Sequence, residues 1–207
     1  MRTVLLAVVF GTAIATAGLA RADPITVLPA GATWNYTFSD PTSDPTWNTT
    51  TGVGGTWASG AAPFGNCPDA GCSGFTSDFD HNTFWPADNS GSLDDNLWVR
   101  TSVNLPAQLE SLDWNLGADN GYKLYVNGFL LAQDNAEGYT FRWEYSGSVP
   151  LNIVHPGANV VAVALEDHGG LTAFDMELVG TPTPEPASAV LCAIGLLGVG
   201  IRRKFWT

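Results

Sequence analysis

The stretch YKLYVNGFLLA, residues 122–132, decides how this chain folds. Two apolar runs flank Asn127-Gly128, a pair that accepts positive φ at both central positions of a tight turn and therefore joins adjacent antiparallel strands. Working outward, the same two-residue alternation recurs on both sides. LWVRTSVNL (97–105) places Val99, Thr101, Val103 and Leu105 on one face, and SLDWNLG (111–117) sets Leu112, Trp114 and Leu116 against Asp113 and Asn115. Downstream, PLNIVHPGANVVAVALED (150–167) turns at Pro156-Gly157 and alternates again, while AFDMELVG (173–180) sends Phe174, Met176 and Leu178 inward and Asp175 and Glu177 outward. Upstream, residues 23–96 are rich in Thr, Ser, Gly, Pro, Asp and Asn, which make long loops between few strands; TWNYTF (33–38) and GTWAS (55–59) are the candidates. Amphipathic helical patterns are absent between the two ends of the chain. The expectation is an all-β antiparallel sandwich or barrel.

The order of these segments adds a resemblance. Trp98 and Arg100, then Ala118-Asp119-Asn120-Gly121 before Val126-Asn127-Gly128, then Gly157-Ala158-Asn159, stand where galactose-binding-like jelly rolls carry a Trp-x-Arg pattern, an Ala-Asp-x-Gly turn and a Gly-x-Asn turn. Residues 97–180 thus resemble the second half of that family, whose members are accessory modules of glycan-active proteins. The resemblance implies a jelly-roll fold, and its motifs are mostly turn chemistry. Asp119, Asn127 and Asn159 read first as turn residues, the two asparagines being wanted for positive φ.

Both ends read as addresses. Residues 1–22 have a charged start at Arg2, an apolar run and an Ala20-Arg21-Ala22 ending, the layout of a cleavable secretory signal. At the other end, fifteen uncharged residues, 187–201, lie between Pro184-Glu185-Pro186 and Arg202-Arg203-Lys204. As a helix they would reach about 22 Å against a hydrocarbon core of about 30 Å, a marginal span whose basic flank favours the cytoplasm. Pro184-Glu185-Pro186, the apolar span and Arg202, Arg203 and Lys204 resemble the PEP-CTERM sorting signal. That resemblance implies an exosortase-like membrane enzyme as partner and delivery to the cell surface; a plain, uncut membrane anchor is the other reading. The domain expectation is therefore signal peptide 1–22, β-sandwich 23–180 and sorting tail 181–207 with a transmembrane segment at 187–201.

The chain has formal net charge −12, and its central part is more acidic still. Residues 23–182 hold nineteen carboxylates against Arg100, Lys123 and Arg142, a net of about −16. Such a surface repels phosphate backbones and no basic patch offsets it, which argues against nucleic acid as a partner. In an exported protein, Cys67 and Cys72 of NCPDAGC read as a disulfide closing a short loop, contributing about 2 kcal/mol. Their spacing fits neither a Cys-x-x-Cys redox pair nor a zinc site.

SDFDHN offers Asp78, Asp80 and Asn82 at alternate positions, as in an EF-hand. Thr83 stands where that loop needs Gly and Asn89 where it needs a bidentate Glu, so an EF-hand is excluded. Asp78, Asp80, Asp88, Asp94 and Asp95 remain a candidate oxygen-lined calcium site, against the plainer reading of a solvated acidic loop. Trp34, Trp47, Trp57, Trp85 and Trp143 fall outside the clearest alternation. Indoles beside Asp and Asn suit stacking on sugar rings, and Trp47, Trp57 and Trp85 are the candidate glycan contacts; packing at the ends of the sandwich is the competing role. His81, His155 and His168 lie on loops without a nucleophile elbow or an HExxH pair, and Lys123 and Arg142 are too isolated to cradle phosphate.

The expected function is a non-catalytic exported protein that binds surface or matrix polysaccharide, needing no cofactor beyond structural calcium. The alternatives are a calcium-stabilised adhesive protein without sugar binding and a hydrolase with an unrecognised site.

Overall fold

The computed structural model of the chain describes residues 22–49, 56–66, 81–86, 96–135, 142–168 and 171–183. Within them, residues 23–183 belong to one compact unit. Its strands form two six-stranded sheets. The first contains β1 (Ile25–Leu28), β4 (Phe64–Gly65), β5 (Thr83–Phe84), β7 (Leu109–Asp119), β10 (Tyr145–Ser148) and β12 (Ala173–Pro182), in the order β10-β7-β12-β4-β5 with β1 also paired to β12. The second contains β2 (Thr33–Thr37), β3 (Ala58–Ala61), β6 (Leu97–Leu105), β8 (Gly121–Val126), β9 (Phe129–Asp134) and β11 (Gly157–Glu166), in the order β3-β2-β6-β11-β8-β9. All pairs are antiparallel except the two-residue contact of β4 with β5. The one helical element among the described residues is a 3-10 turn, Leu151–Ile153. The described residues are all-β apart from this turn, as the alternation predicts.

The deciding hairpin forms as its sequence requires. Val126 pairs with Phe129 across Asn127 at φ 50° and Gly128 at φ 83°, a two-residue turn whose central residues both have positive φ. At the next turn the assignment differs from expectation. Gly157 takes the positive φ, 86°, whereas Asn159 lies inside β11 and is 1% exposed. Its side chain works as a backbone clamp, accepting from the His155 N–H at 3.0 Å and Asn127 Nδ2 at 2.8 Å while donating to the carbonyls of His155 and Gly157. Asn127 in turn donates to the Ile153 carbonyl and accepts from the Val160 N–H.

Between the sheets sits a continuous apolar core. Val99, Val163 and Leu124 form one row across β6, β11 and β8, and Leu97, Leu165 and Tyr122 the next. Leu112, Trp114 and Leu116 of β7 and Phe174, Met176 and Leu178 of β12 face them from the first sheet. Trp34 of β2 meets Phe174 edge to face at 5.3 Å, binding the sheets together. Asp175, expected on the outside, is fully buried. It faces away from Phe174 as the alternation demands, but its surface is roofed: Oδ1 accepts from the N–H groups of Gly31 and Met176, and Oδ2 accepts from Arg142 at 2.7 Å. Burial pushes its carboxyl above the usual range against the pull of those donors.

Candidate functional site

Alternation along the second sheet also builds its outer face. Arg100, Ala162 and Tyr125 form one row there, and Trp98, Ala164 and Lys123 its neighbour. Two alanines in mid-sheet leave a shallow depression, and the β2–β3 connection lays Trp47 and Trp57 into it beside Trp98. The approach is set by a repeat in the sequence, Asp40-Pro41-Thr42 and Asp44-Pro45-Thr46. In each copy the Asp side chain accepts from the Thr N–H two residues on, at 2.8 and 2.9 Å, and proline sets φ at the intervening position. The turn continues through the Trp47 N–H to the Asp44 carbonyl at 3.1 Å, which delivers the indole onto the sheet. There Trp47 meets Tyr125 edge to face at 5.5 Å.

Arg100 joins the two halves of this connection. It is 1% exposed, donates from Nη1 to the Trp47 carbonyl at 3.0 Å, and holds its guanidinium 3.8 Å from the Trp57 ring centroid. A planar, weakly hydrated cation suits such a site because it can stack and donate at once. Burial lowers its pKa, and the negative charge of Asp44 opposes that shift. Asp44 is held below the usual carboxylate range by the hydroxyl and N–H of Thr46, with the Arg100 charge as a smaller contribution, so it is ionised at neutral pH.

Above this layer lies a groove of about 210 Å³. Trp57 and Trp47 form aromatic wall, and Asp40, Asp44, Ser39 and Ser43 supply oxygen. Trp57 is half-buried, with one face against Arg100 and the rest of the ring contributing to the groove. Aromatic surface beside carboxylates and hydroxyls is the chemistry of a ligand that has apolar ring faces and a rim of hydroxyl donors.

Two other cavities differ in kind. One of about 410 Å³ is lined by Lys123, Gln133, Asp134, Asn135 and Glu166. It has no aromatic wall, and Lys123 is taken up by Glu166 at 2.7 Å. Beside it the Asp119-Asn120 turn is held by the Asn120 N–H on the Glu166 carbonyl and the His168 N–H on the Asn120 side chain. Another, of about 290 Å³, is a mainly apolar cleft formed by Pro106, Leu109, Leu151, Val154 and Pro156. Neither joins an aromatic face to oxygen acceptors.

Of the three candidate glycan tryptophans, Trp57 and Trp47 come together at the groove. Trp85 does not: it is 0% exposed, a core residue whose carbonyl accepts from the Thr172 hydroxyl at 2.7 Å, and it has no face left for a sugar ring. Trp34 is likewise core, and Trp143 stands beside Arg142 at 4.9 Å. Asp78, Asp80, Asp88, Asp94 and Asp95, the cysteines Cys67 and Cys72, and Pro184, Glu185, Pro186, Arg202, Arg203 and Lys204 lie outside the described residues, as does the apolar span 187–201. Among the described residues there is no group of three metal-ligating side chains and no helix long and apolar enough to cross a membrane. Sequence reasoning missed Arg100 as the organiser of the site. A lone cation alternating with apolar residues in LWVRTSVNL was the signal that could have found it.

No protein family model and no curated protein matches this chain. Among solved structures, it is similar to a beta-glucuronidase from an uncultured Clostridium sp., at 11% identity over 79% of this chain with a TM-score of 0.47. A Streptomyces avermitilis alpha-L-rhamnosidase complexed with L-rhamnose aligns at 24% identity over 42% of this chain, TM-score 0.34. The PA14 domain of the MpAFP antifreeze protein aligns at 24% over 40%, TM-score 0.30. The chain spans 30%, 8% and 42% of these three chains respectively. All three TM-scores lie below 0.5, so none assigns it an activity.

Proposed function

We propose that this protein is an exported, non-catalytic glycan-binding module built on a galactose-binding-like jelly roll, which a PEP-CTERM-like tail directs to the cell envelope. The observation that supports it best is the groove of Trp57 and Trp47 beside Asp40 and Asp44, placed on a rigid sheet face by Arg100. Stacking of a pyranose on indole orients the sugar, and hydrogen bonds to ionised carboxylates are stronger than neutral ones. Among the described lining residues there is no histidine, and the two carboxylates, Asp40 and Asp44, are each engaged by a threonine N–H in the loop's own turns. The signal-like start, the Pro184-Glu185-Pro186 motif and the basic end support export, surface polysaccharide as the partner and an exosortase-like enzyme as the processor.

Calorimetry of the full-length protein with neutral oligosaccharides tests the binding reading. Trp57→Ala should weaken binding at least tenfold, about 1.4 kcal/mol, without unfolding the protein. Absence of binding to any neutral glycan, or binding indifferent to Trp57→Ala, overturns it. Mass spectrometry of the mature C-terminus tests the sorting reading: an end near Pro184-Glu185-Pro186 is expected, and an intact Thr207 terminus on surface-exposed protein rejects it.

A further inference from the structure

Resting on the glycan-binding reading, we infer that the groove selects neutral sugars over acidic ones, with Asp40 and Asp44 as the residues that discriminate. The argument is one of donors and charge. Titratable groups on the groove-forming segments, residues 37–47 and 56–57, are Asp40 and Asp44 alone. Their lining side chains are otherwise indoles, hydroxyls and a proline. A carboxylate only accepts hydrogen bonds when ionised, so this rim calls for donors on the ligand, which the hydroxyls of a neutral sugar supply. A uronate brings a further acceptor and a third negative charge to a surface that already carries the two carboxylates Asp40 and Asp44.

Among the described residues the cation packed beneath the groove, Arg100, offsets this charge only in part, acting on Asp44 from the sheet side. Arg100 is buried, its Nη1 is committed to the Trp47 carbonyl, and its guanidinium lies against Trp57 on the sheet side. Lys123, on the neighbouring outward row of the same sheet face, is neutralised by Glu166 at 2.7 Å. Asp44 stays ionised at neutral pH because the Thr46 hydroxyl and N–H favour its charged form. Two like charges on the solvent-open rim of the groove repel a ligand carboxylate and together lower its affinity about tenfold at low salt, an effect that added salt screens.

The turn geometry supplies a clean variant. Asp40 and Asp44 each hold the loop through one side-chain oxygen accepting from a Thr N–H, and an asparagine carbonyl can accept the same bond. Asp40→Asn/Asp44→Asn therefore removes charge while keeping the loop. The experiment titrates the full-length protein with a neutral galactan oligosaccharide and with an oligogalacturonate of equal length, at low and high salt. The wild type should prefer the neutral oligomer about tenfold, and its weak affinity for the uronate should rise with salt as repulsion is screened. In the double variant uronate affinity should rise about tenfold and lose that salt dependence. Equal, Trp57-dependent binding of both oligomers by the wild type overturns the inference and leaves the glycan reading standing. Failure of the neutral galactan, when other neutral glycans bind through Trp57 and their uronates bind equally well, also overturns it. Absence of binding to every neutral glycan removes both readings together.

Discussion

Arg100 and Trp57 stack with the guanidinium 3.8 Å from the ring centroid, and the same guanidinium donates to the Trp47 carbonyl at 3.0 Å. One buried cation on β6 thereby fixes both aromatic walls of a groove formed by a loop. Lysine cannot reproduce this, because an ammonium neither stacks as a plane nor donates in a fork. Arg100→Lys should weaken binding of a neutral oligosaccharide about tenfold and lower the melting temperature by roughly 4–8 °C, corresponding to about 2 kcal/mol for a domain of this size. Paired calorimetry and thermal melts check it. Wild-type affinity in a destabilised protein would show that Arg100 serves the fold alone.

The hairpin turn makes a second point testable. Gly128 has φ 83°, and a methyl group there would stand 2.5 Å from Thr49 Cγ2. Gly128→Ala combines left-handed strain with a clash and should cost about 2 kcal/mol, read as a shift in the urea midpoint with unchanged slope. Ala at an exposed position with ordinary φ should cost far less.

Asn159 ties the hairpin to the connection that precedes β11 through four side-chain hydrogen bonds, two accepted and two donated. Asn159→Ala removes all four bonds; His155 and Gly157 are exposed, so water can take up part of the loss, and the change should destabilise by about 2 kcal/mol. Asn159→Asp keeps one acceptor but turns a buried carboxylate oxygen toward the His155 and Gly157 carbonyls, and should cost at least as much. Equilibrium unfolding of the pair distinguishes loss of this network from loss of volume.

Alkaline stability follows from Tyr122 and Tyr145, whose rings meet at 4.7 Å. Burial, with neighbouring negative charges including Asp134 and Glu144, pushes each phenol from 10.0 up to about 12. A raised folded-state pKa means that the unfolded chain releases its proton first. The stabilisation is complete below pH 10 and is lost as pH climbs from 10 towards 12. Urea midpoints should fall across that window, and the fall should shrink in Tyr122→Phe and Tyr145→Phe. A flat midpoint to pH 12 contradicts this.

Much of the sandwich was legible because strand alternation and turn chemistry are local. LWVRTSVNL became β6 over the residues its pattern marked, and Asn127-Gly128 turned as its dihedral freedom implied. The misreadings have non-local causes. Asp175 alternates outward, yet Gly31, 144 residues earlier, and Arg142 roof it, and no window around Asp175 contains them. Asn159 reads as a turn former because it follows Gly157, whereas its burial depends on Asn127 from another hairpin. Trp85 and Trp57 look alike in sequence, each flanked by loop residues; whether an indole ends in the core or on a groove is decided by which sheet face its loop crosses. The Asp40-Pro41-Thr42 and Asp44-Pro45-Thr46 repeat was visible, but its role appears only once Ala162 and Ala164 give the following tryptophan somewhere to land.

Those two alanines carry a wider implication. Their methyl groups touch the overlying loop, while Val161, Val163 and Leu165 on the same strand keep the interior. Enlarging Ala162 would evict the tryptophan layer and spare the apolar contacts between the sheets beneath, so recognition and architecture are written on alternate letters of one strand and can change independently.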